Sequence, residues 1–257
     1  MNSSKYILVL IAVVLSLAAC SRQDSMLDME AWDLVWISDS SGWGVAEIYA
    51  AMIEEDTGIQ VNLHDNWMGG LSAGDVYHAL QGGPTPNLRL RQLADQIREA
   101  EVIVFYANPD QSIDATHPGD WDCVSQRNYV NSCEMEIFST YIQHLEGIYE
   151  SIFDLRAGQP TIVRAYDAYS PRIDEWREQG VFDACKACWG NYNAAIHQAA
   201  ESYHVPVAAV AEAWNGINRD EDPNVKGYTR DSEHPNEKGG EVIAESLRAL
   251  GYDPVRP

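Results

Sequence analysis

Two short segments at opposite ends of the chain contain the residue types that serine-based acyl transfer requires. Near the C-terminus the chain reads Asp231-Ser232-Glu233-His234-Pro235, which places a carboxylate three residues before an imidazole. Near the N-terminus it reads Trp36-Ile37-Ser38-Asp39-Ser40-Ser41-Gly42, with a serine just after an apolar run. A nucleophile, a base and a group that orients the base are the three parts of this chemistry.

Ser40 follows the first predicted strand and precedes a helical pattern. This position would expose its hydroxyl at the C-terminal edge of a sheet, close to free backbone N–H groups and the positive end of a helix dipole. These features would favour the negative charge of a tetrahedral intermediate. The alternative interpretation is that Ser40 or Ser41 simply caps the helix.

Two histidines compete for the role of the base. His117 and His234 each lie three residues after an aspartate (Asp114 and Asp231) and directly before a proline. We favour His234 because it directly precedes a helix with Asn236 as its predicted N-cap, which would anchor its loop. Asp231 would then hold the tautomer that accepts the serine proton. Two further histidines fall in helical patterns and are predicted to serve packing or the surface: His144 and His197.

Apolar runs alternate with helical periods along the chain, which predicts a parallel sheet covered by helices on both faces. The strands are predicted from five apolar segments: Leu34–Ile37, Ile59–Leu63, Val102–Phe105, Thr161–Val163 and Val205–Val207. The expected fold is a three-layer α/β/α domain spanning residues 32–257, with about five strands in a flavodoxin-like order. Two irregular polar stretches after strands, residues 108–133 and 215–233, are predicted to wall the site at that edge.

The net charge and the absence of certain motifs exclude some classes of binding partner. The chain has 257 residues, enough for one full α/β domain, and a formal net charge of −22. So acidic a surface would repel phosphate backbones, so we expect no nucleic-acid partner. Phosphate-cradling and dinucleotide-binding glycine motifs are absent from the sequence, and no cofactor is predicted.

The N-terminus resembles a targeting segment. Residues 1–19 contain one positive charge, Lys5, and then an almost entirely apolar run too short to span a bilayer well. The run ends in Leu17-Ala18-Ala19-Cys20, which resembles the lipobox of bacterial lipoproteins, in which the cysteine is lipidated. Residues 20–31 would be a tether, and the protein would be lipid-anchored in the cell envelope on the extracytoplasmic side. An ordinary cleaved signal peptide is the alternative.

Four further cysteines outside the cytoplasm predict two disulfides. They are Cys123, Cys133, Cys185 and Cys188. Sequence leaves open whether they pair locally, Cys123 with Cys133 and Cys185 with Cys188, or crossed. A zinc site made of all four is a weaker alternative because only one pair has Cys-x-x-Cys spacing. Asp220-x-Asp222-x-Asn224 echoes a calcium loop but lacks its glycine and terminal glutamate. We therefore predict no metal site.

The order of these motifs resembles that of the SGNH (GDSL-type) hydrolases and esterases. In that family a Gly-Asp-Ser block is followed by a glycine, a Gly-x-Asn segment and a C-terminal Asp-x-x-His. Here Ser38-Asp39-Ser40 fills the first block, the segment from Asn66 to Gly74-Asp75 resembles the second, Tyr106-Ala107-Asn108 stands in the third, and Asp231 and His234 fill the last. The resemblance implies an extracytoplasmic serine esterase with catalytic Ser40, His234 and Asp231. It also implies an oxyanion hole formed by Ser40, Gly74 and Asn108.

Several positions depart from the family pattern. Ser38 replaces the usual glycine, Tyr106 replaces the glycine before the asparagine, and Gly69 and Gly70 lie close enough to compete with Gly74. These departures weaken the prediction of the oxyanion geometry and of the substrate class more than the prediction of the nucleophile.

Aromatic residues near predicted strand ends bear on the substrate. They could stack on sugars or line an acyl pocket, although buried packing would explain them equally well: Trp43, Trp67, Tyr106 and Trp121. An O-acylated carbohydrate is the leading predicted substrate and a lipid ester the next. The alternative to an enzyme is a non-catalytic, lipid-anchored binding protein that keeps the fold, and an acyltransferase with the same residues is a third hypothesis.

Overall fold

The computed structural model describes residues 31–85, 87–109, 123 and 135–255. Its centre is a parallel five-stranded sheet in the order β2-β1-β3-β4-β5, which confirms the predicted flavodoxin-like α/β fold. The strands are β1 (Ala31–Ile37), β2 (Gln60–Asp65), β3 (Val102–Phe105), β4 (Ile162–Tyr166) and β5 (Val207–Ala208). The strand order reverses between β1 and β3, so the crevice at their C-terminal ends is the expected place for a site.

The strands differ in burial as their positions in the sheet require. The central strands β3 and β4 are buried at every residue, which explains their continuous apolar runs. At the edge of the sheet, exposed and half-buried residues alternate at the start of β2, as the sequence predicted. Gln60 and Asn62 are exposed, and Val61 and Leu63 are half-buried. Ile37 pairs with Phe105, so β1 and β3 end side by side.

Nine helices belong to the described residues and cover the sheet. They are α1 (Ala46–Thr57), α2 (Ala73–Leu80), α3 (Leu88–Arg91), α4 (Leu93–Glu99), α5 (Ser139–Arg156), α6 (Ile173–Glu178), α7 (Phe182–Glu201), α8 (Val210–Asn215) and α9 (Glu237–Arg248). Helix α1 packs against α9, while α5 packs against both α2 and α7. The predicted N-cap of the last helix is confirmed, because the Asn236 side chain accepts from the Gly239 N–H. No helix among the described residues is long and apolar enough to cross a membrane.

The structure differs from the sequence prediction at several boundaries. The helical spacing of Leu90, Leu93 and Ile97 predicts one helix, but the structure has two short helices with a break at Gln92. Strand β4 continues through Arg164, which is 1% exposed and donates to the carbonyls of Gly251 and Asp253. The sequence prediction ended this strand at Val163 because the next residue, Arg164, is charged. The carbonyl groups that bind Arg164 in the folded chain cannot be identified from the sequence. Helix α7 contains His197, which the sequence analysis placed in a helical pattern.

Candidate active site

Ser40 opens a short 3-10 turn, Ser40–Gly42, immediately after β1. Asp39 caps the turn, since its carboxylate accepts from the Ser41 N–H at 2.8 Å. Ser40 itself is half-buried at the C-terminal edge of the sheet, where the sequence predicted it. The α-helix that follows begins only at Ala46, so the 3-10 turn separates Ser40 from its positive end.

Ser38 and Gly42 fix the path of this turn. The buried Ser38 hydroxyl accepts from the Trp36 indole N–H at 2.8 Å and donates to the Asp39 carbonyl at 3.1 Å. A Cβ on Gly42 would lie 1.9 Å from that hydroxyl oxygen and 2.6 Å from the indole nitrogen. Gly42 is therefore required by close approach. Sequence reasoning missed this role, although the serine in place of the family's glycine at position 38 was a signal that something must accommodate it.

The backbone N–H and the backbone carbonyl of Asn108 both form hydrogen bonds to the segment that follows β2. Its N–H donates to the Leu71 carbonyl at 3.0 Å, and its carbonyl accepts from the Ala73 N–H at 2.9 Å. The Asn108 side chain hydrogen-bonds to the Asp39 carboxylate. The structure thus brings the second and third sequence blocks together beside the Ser40 turn.

The three candidate oxyanion glycines occupy two kinds of position. Gly74 is buried in the first turn of α2, a helix that Ser72 caps through a reciprocal bond with Asp75. Gly69 and Gly70 are exposed in the loop before it, and Gly70 has a φ of +70°, a conformation that favours glycine. The Met68 N–H donates to the Ser38 carbonyl at 3.0 Å and ties this loop to the end of β1.

His234 and Asp231 form a compact pair in the loop before α9. His234 Nδ1 lies 2.9 Å from one Asp231 carboxylate oxygen and 3.1 Å from the other. The same carboxylate accepts from the His234 backbone N–H at 2.8 Å. This backbone bond, followed by the side-chain bond, holds the pKa of Asp231 below its ordinary value, so the carboxylate stays ionised beside the imidazole.

Two observations place this pair next to the Ser40 turn. The His234 and Trp43 rings form a T-shaped contact, with centroids 6.5 Å apart and planes at 71°. Burial raises the pKa of the Asp39 carboxyl, and hydrogen bonds from Ser41 and Asn108 and the nearby charge of His234 oppose that rise. Four sequence-predicted residues therefore share one region of the sheet edge: Ser40, Asn108, Asp231 and His234. The competing His117 lies outside the described residues.

A group of buried tyrosines lies beneath the turn. The Ser41 hydroxyl and Tyr166 OH are 3.2 Å apart, Tyr106 stacks on Tyr166 at 4.6 Å, and Tyr192 OH donates to Tyr106 OH at 2.9 Å. Burial raises the pKa of each of these phenols, so they remain neutral hydrogen-bonding groups. Tyr106, which stands where the family has glycine, is therefore part of this packing.

Cys123 is bonded to Cys185 on α7, across 62 residues. This bond excludes the local pairing and matches the crossed one. The Trp176 indole also donates to the Cys123 carbonyl at 2.6 Å and holds the two segments together. Cys133 lies outside the described residues, so its pairing with Cys188 stays a prediction.

The calcium-like segment is used structurally. The two Asp222 carboxylate oxygens accept from the backbone N–H groups of Asp174 and Asn224, at 2.9 and 2.7 Å. Among the described residues, no group of three or more histidine, cysteine, aspartate or glutamate side chains is arranged to hold a metal ion.

Comparison with known proteins identifies the fold of this chain but does not assign the chain to a family. No family profile matches the chain, and no curated protein matches it significantly. Among solved structures, the chain is similar to LAE5, an alpha/beta hydrolase enzyme from the metagenome of Lake Arreo, Spain, with a TM-score of 0.57 at 16% identity over 87% of this chain and 96% of that one. The acetyl xylan esterase AlAXEase gives 0.52 at 16%, over 85% and 99%.

Chains described with the names SGNH and G-D-S-L also match, from Slackia heliotrinireducens and Desulfitobacterium hafniense, with TM-scores of 0.48 and 0.49 at 15% and 13% identity. They cover 86% and 85% of this chain and 100% and 98% of their own lengths. At these identities LAE5 and the acetyl xylan esterase, whose TM-scores exceed 0.5, establish the architecture alone, and the chemistry has to be argued from the site itself.

Proposed function

We propose that this protein is a serine esterase of the SGNH type, which hydrolyses a carboxylic ester through an acyl-enzyme on Ser40. The observation that carries the proposal is the His234–Asp231 pair, 2.9 Å apart, lying against Trp43 just after the Ser40 turn. The fold, which the chain shares with hydrolases and an acetyl xylan esterase, supports it.

The geometry of the Asp231–His234 pair supports a separate role for each nitrogen of His234. Because Asp231 lies on Nδ1, the proton of the neutral ring belongs there and Nε2 is left as the base. In the first step Nε2 takes the Ser40 hydroxyl proton as the oxygen attacks the ester carbonyl. The ionised Asp231 then stabilises the imidazolium that forms.

The oxyanion would be stabilised by the backbone N–H groups of Ser40 and Gly74 and by the Asn108 side-chain amide. Asp39 positions that amide by accepting a hydrogen bond from it, and the bonds to Leu71 and Ala73 fix the Asn108 backbone. His234 then returns the proton to the leaving alcohol, and the acyl group stays on Ser40. Water repeats the sequence with the same base and releases the acid. No step in this sequence calls for a cofactor.

We propose an O-acylated carbohydrate as the substrate, with a lipid ester as the second candidate. The exposed part of Trp43 beside His234 supports a sugar, because an aromatic side chain at the site can contact the apolar edge of a sugar ring. Release of acetate from acetylated xylan, compared with release of fatty acid from a short triglyceride, would separate the two. Adding an acceptor alcohol and measuring ester transfer would separate a hydrolase from an acyltransferase.

We also propose that the protein is held in the cell envelope through a lipid on Cys20. The described residues begin at Ala31, so this proposal rests on the sequence of the first 20 residues alone. Cys20→Ala should release the protein from the membrane fraction, whereas Ser25→Ala, a small change within the predicted tether, should leave it there. A Cys20→Ala protein that still fractionates with membranes would contradict the lipid anchor.

Fluorophosphonate labelling of the folded protein, with the modified residue located by mass spectrometry, tests the esterase directly. The adduct should form on Ser40 and be lost in Ser40→Ala and His234→Ala. The adduct should persist in His117→Ala and in His197→Ala. His197 is an exposed histidine on α7 that lies near Asp167. An unlabelled protein with its fold intact would contradict the esterase and favour the non-catalytic binding protein.

A further inference from the structure

Two tryptophans and two arginines form a stack beside His234. Trp43 and Trp67 are stacked with ring centroids 5.5 Å apart and planes at 19°. The Arg230 guanidinium carbon lies 3.9 Å from the Trp43 centroid, and that of Arg89 lies 5.9 Å from the Trp67 centroid. We call these four residues the Arg–Trp stack.

The two arginines are held by carbonyl groups. Arg230 donates its Nε–H to the Pro235 carbonyl at 2.7 Å, and Arg89 donates from Nη1 to the Trp67 carbonyl at 2.6 Å. Each bond orients a guanidinium and leaves its positive charge without a counter-charge. Both arginine side chains are exposed, so their other N–H groups can reach a ligand.

Arg89 and Arg230, like Arg91 and Arg164, differ from the ion-paired arginines of the described chain. The chain has 39 acidic and 17 basic side chains, and Arg172, Arg177 and Arg248 each lie within 4.0 Å of a carboxylate. Within the described part of the chain, neither Arg89 nor Arg230 has a carboxylate that close. The neighbouring Asp231 is engaged by His234, and Asp65 is only within electrostatic range of Arg89.

We propose that the Arg–Trp stack binds an anionic group, a carboxylate or a phosphate, on the alcohol side of the ester. A guanidinium over an indole ring can still offer N–H groups that hydrogen bonds within the protein do not use to such an anion. The alcohol side follows from position, because His234 protonates the leaving alcohol and the stack begins at the ring that His234 touches. This inference rests on the esterase function proposed above.

A local positive site is what an anionic substrate would need on this surface. The net charge of −22 repels anions at long range, and two arginines without a close counter-charge would offset that repulsion at the site.

A matched pair of acetyl esters tests the inference. The first is 4-acetoxybenzoate, whose leaving group carries a carboxylate, and the second is the neutral 4-acetoxybenzamide. We expect Arg230→Gln to lower kcat/KM by about tenfold for the anion, through KM, and by a clearly smaller factor for the amide. Arg230→Lys should recover part of the loss because it keeps the charge without the planar contact. Using 4-acetoxyphenyl phosphate as a third ester distinguishes phosphate from carboxylate.

Arg91→Gln is the control for a lost positive charge. Arg91 lies on the same short helix as Arg89, but its Nε–H donates to the Thr85 carbonyl, and it is not part of the stack. This variant should leave both rates unchanged. Equal losses for the anionic and neutral esters in Arg230→Gln would show that Arg230 only holds the loop, and would overturn the inference.

Binding of the product alcohols separates this inference from the esterase proposal. In Ser40→Ala, 4-hydroxybenzoate should quench tryptophan fluorescence at a lower concentration than 4-hydroxybenzamide, and Arg230→Gln should remove the difference. If no ester is hydrolysed but this difference remains, the esterase proposal fails and the anion site stands. If esters are hydrolysed through Ser40 but the two alcohols bind alike, the anion site fails and the esterase proposal stands.

Discussion

The turn that carries Ser40 and the loop that carries His234 meet at one edge of the sheet, but they are supported in different ways. At the turn, Ser38 and Asp39 are 0% and 6% exposed, and the Asp39 carboxylate is reached by Asn108 from 69 residues away in sequence. In the loop, the Asp231 side chain is 49% exposed and the His234 side chain 27%. Their shared hydrogen bonds span only three residues.

This difference separates two ways of preparing a catalytic group. The Ser40 turn depends on distant segments that arrive only when the sheet forms, so its geometry is as rigid as the core around it. The Asp231–His234 pair is formed by a local loop and held in place by Asn236, whose side chain donates to the Gly227 and Thr229 carbonyls. We therefore expect changes at the turn to affect activity and stability together, and changes at the pair to affect mainly activity.

Asn108→Ala should give the largest effect. It removes a proposed oxyanion donor and one hydrogen-bond partner of buried Asp39, so kcat should fall on the order of a hundred- to a thousandfold. Asn62→Ala, on the exposed face of edge strand β2, is the matched control and should keep full activity. A loss below about threefold in Asn108→Ala would remove the side chain from the oxyanion hole.

Gly42→Ala should destabilise the protein by about 2–3 kcal/mol, because the new methyl group would collide with the Ser38 hydroxyl and the Trp36 indole. Urea unfolding measures the change. Gly69→Ala, where nothing lies within 4 Å of the new Cβ, should stay within about 0.5 kcal/mol of the parent. Adding Ser38→Gly to Gly42→Ala should recover part of the lost stability, and failure to do so would show that the clash is not with the hydroxyl.

Asp231→Asn should lower kcat by about ten- to a hundredfold, less than the ten-thousandfold typical of a buried triad aspartate, because water can partly replace an exposed carboxylate. Its free energy of unfolding should change little. Asp183→Asn, exposed at the start of α7, controls for a lost negative charge. A ten-thousandfold loss would mean that the pair is far more enclosed when substrate binds.

Asp39→Asn should change the pH dependence of stability, the smallest of the four effects. Burial raises the pKa of Asp39 in the folded state, so between the unfolded value near 3.8 and that raised pKa the folded protein binds more protons than the unfolded one. Stability due to this group therefore falls as pH rises through that interval, by at most about 1.4 kcal/mol per pH unit.

The test is the difference in free energy of unfolding between the parent and Asp39→Asn, measured from acid to neutral pH. The parent should lose stability relative to the variant as pH rises. Asn62→Ala, which removes no ionisable group, should follow the parent at every pH. Parallel pH profiles for the parent and Asp39→Asn would mean that hydrogen bonds offset the burial of the charge completely.

Much of the fold was predictable from the sequence because each signal is local. The apolar run Val102–Phe105 is a buried strand, Ile59–Leu63 alternates as an edge strand should, and Asn236 caps the helix that follows it. The Asp231–His234 pair belongs to the same class, since three residues of loop suffice to form it. These features depend on neighbours in sequence, and for that reason a single chain reveals them.

The parts that sequence reasoning missed depend on distant contacts. The disulfide from Cys123 to Cys185 could not be chosen from spacing, because the segments meet only in the folded chain. The strand at Arg164 was cut short because its carbonyl partners lie 87 and 89 residues away. The Arg–Trp stack joins residues from four separate segments, and no spacing in the sequence predicts it.

The sequence by itself determined which residue types form the site, the flavodoxin-like order of the parallel sheet and the local geometry of the Asp231–His234 pair. Tertiary structure decided how the turn at Ser40 is supported, which residues position Asn108 and where unpaired positive charge stands beside His234. The physical reason is the range of the interactions: hydrogen bonds within a loop follow from adjacent residues, whereas close packing and charge balance depend on whichever segments the sheet brings together.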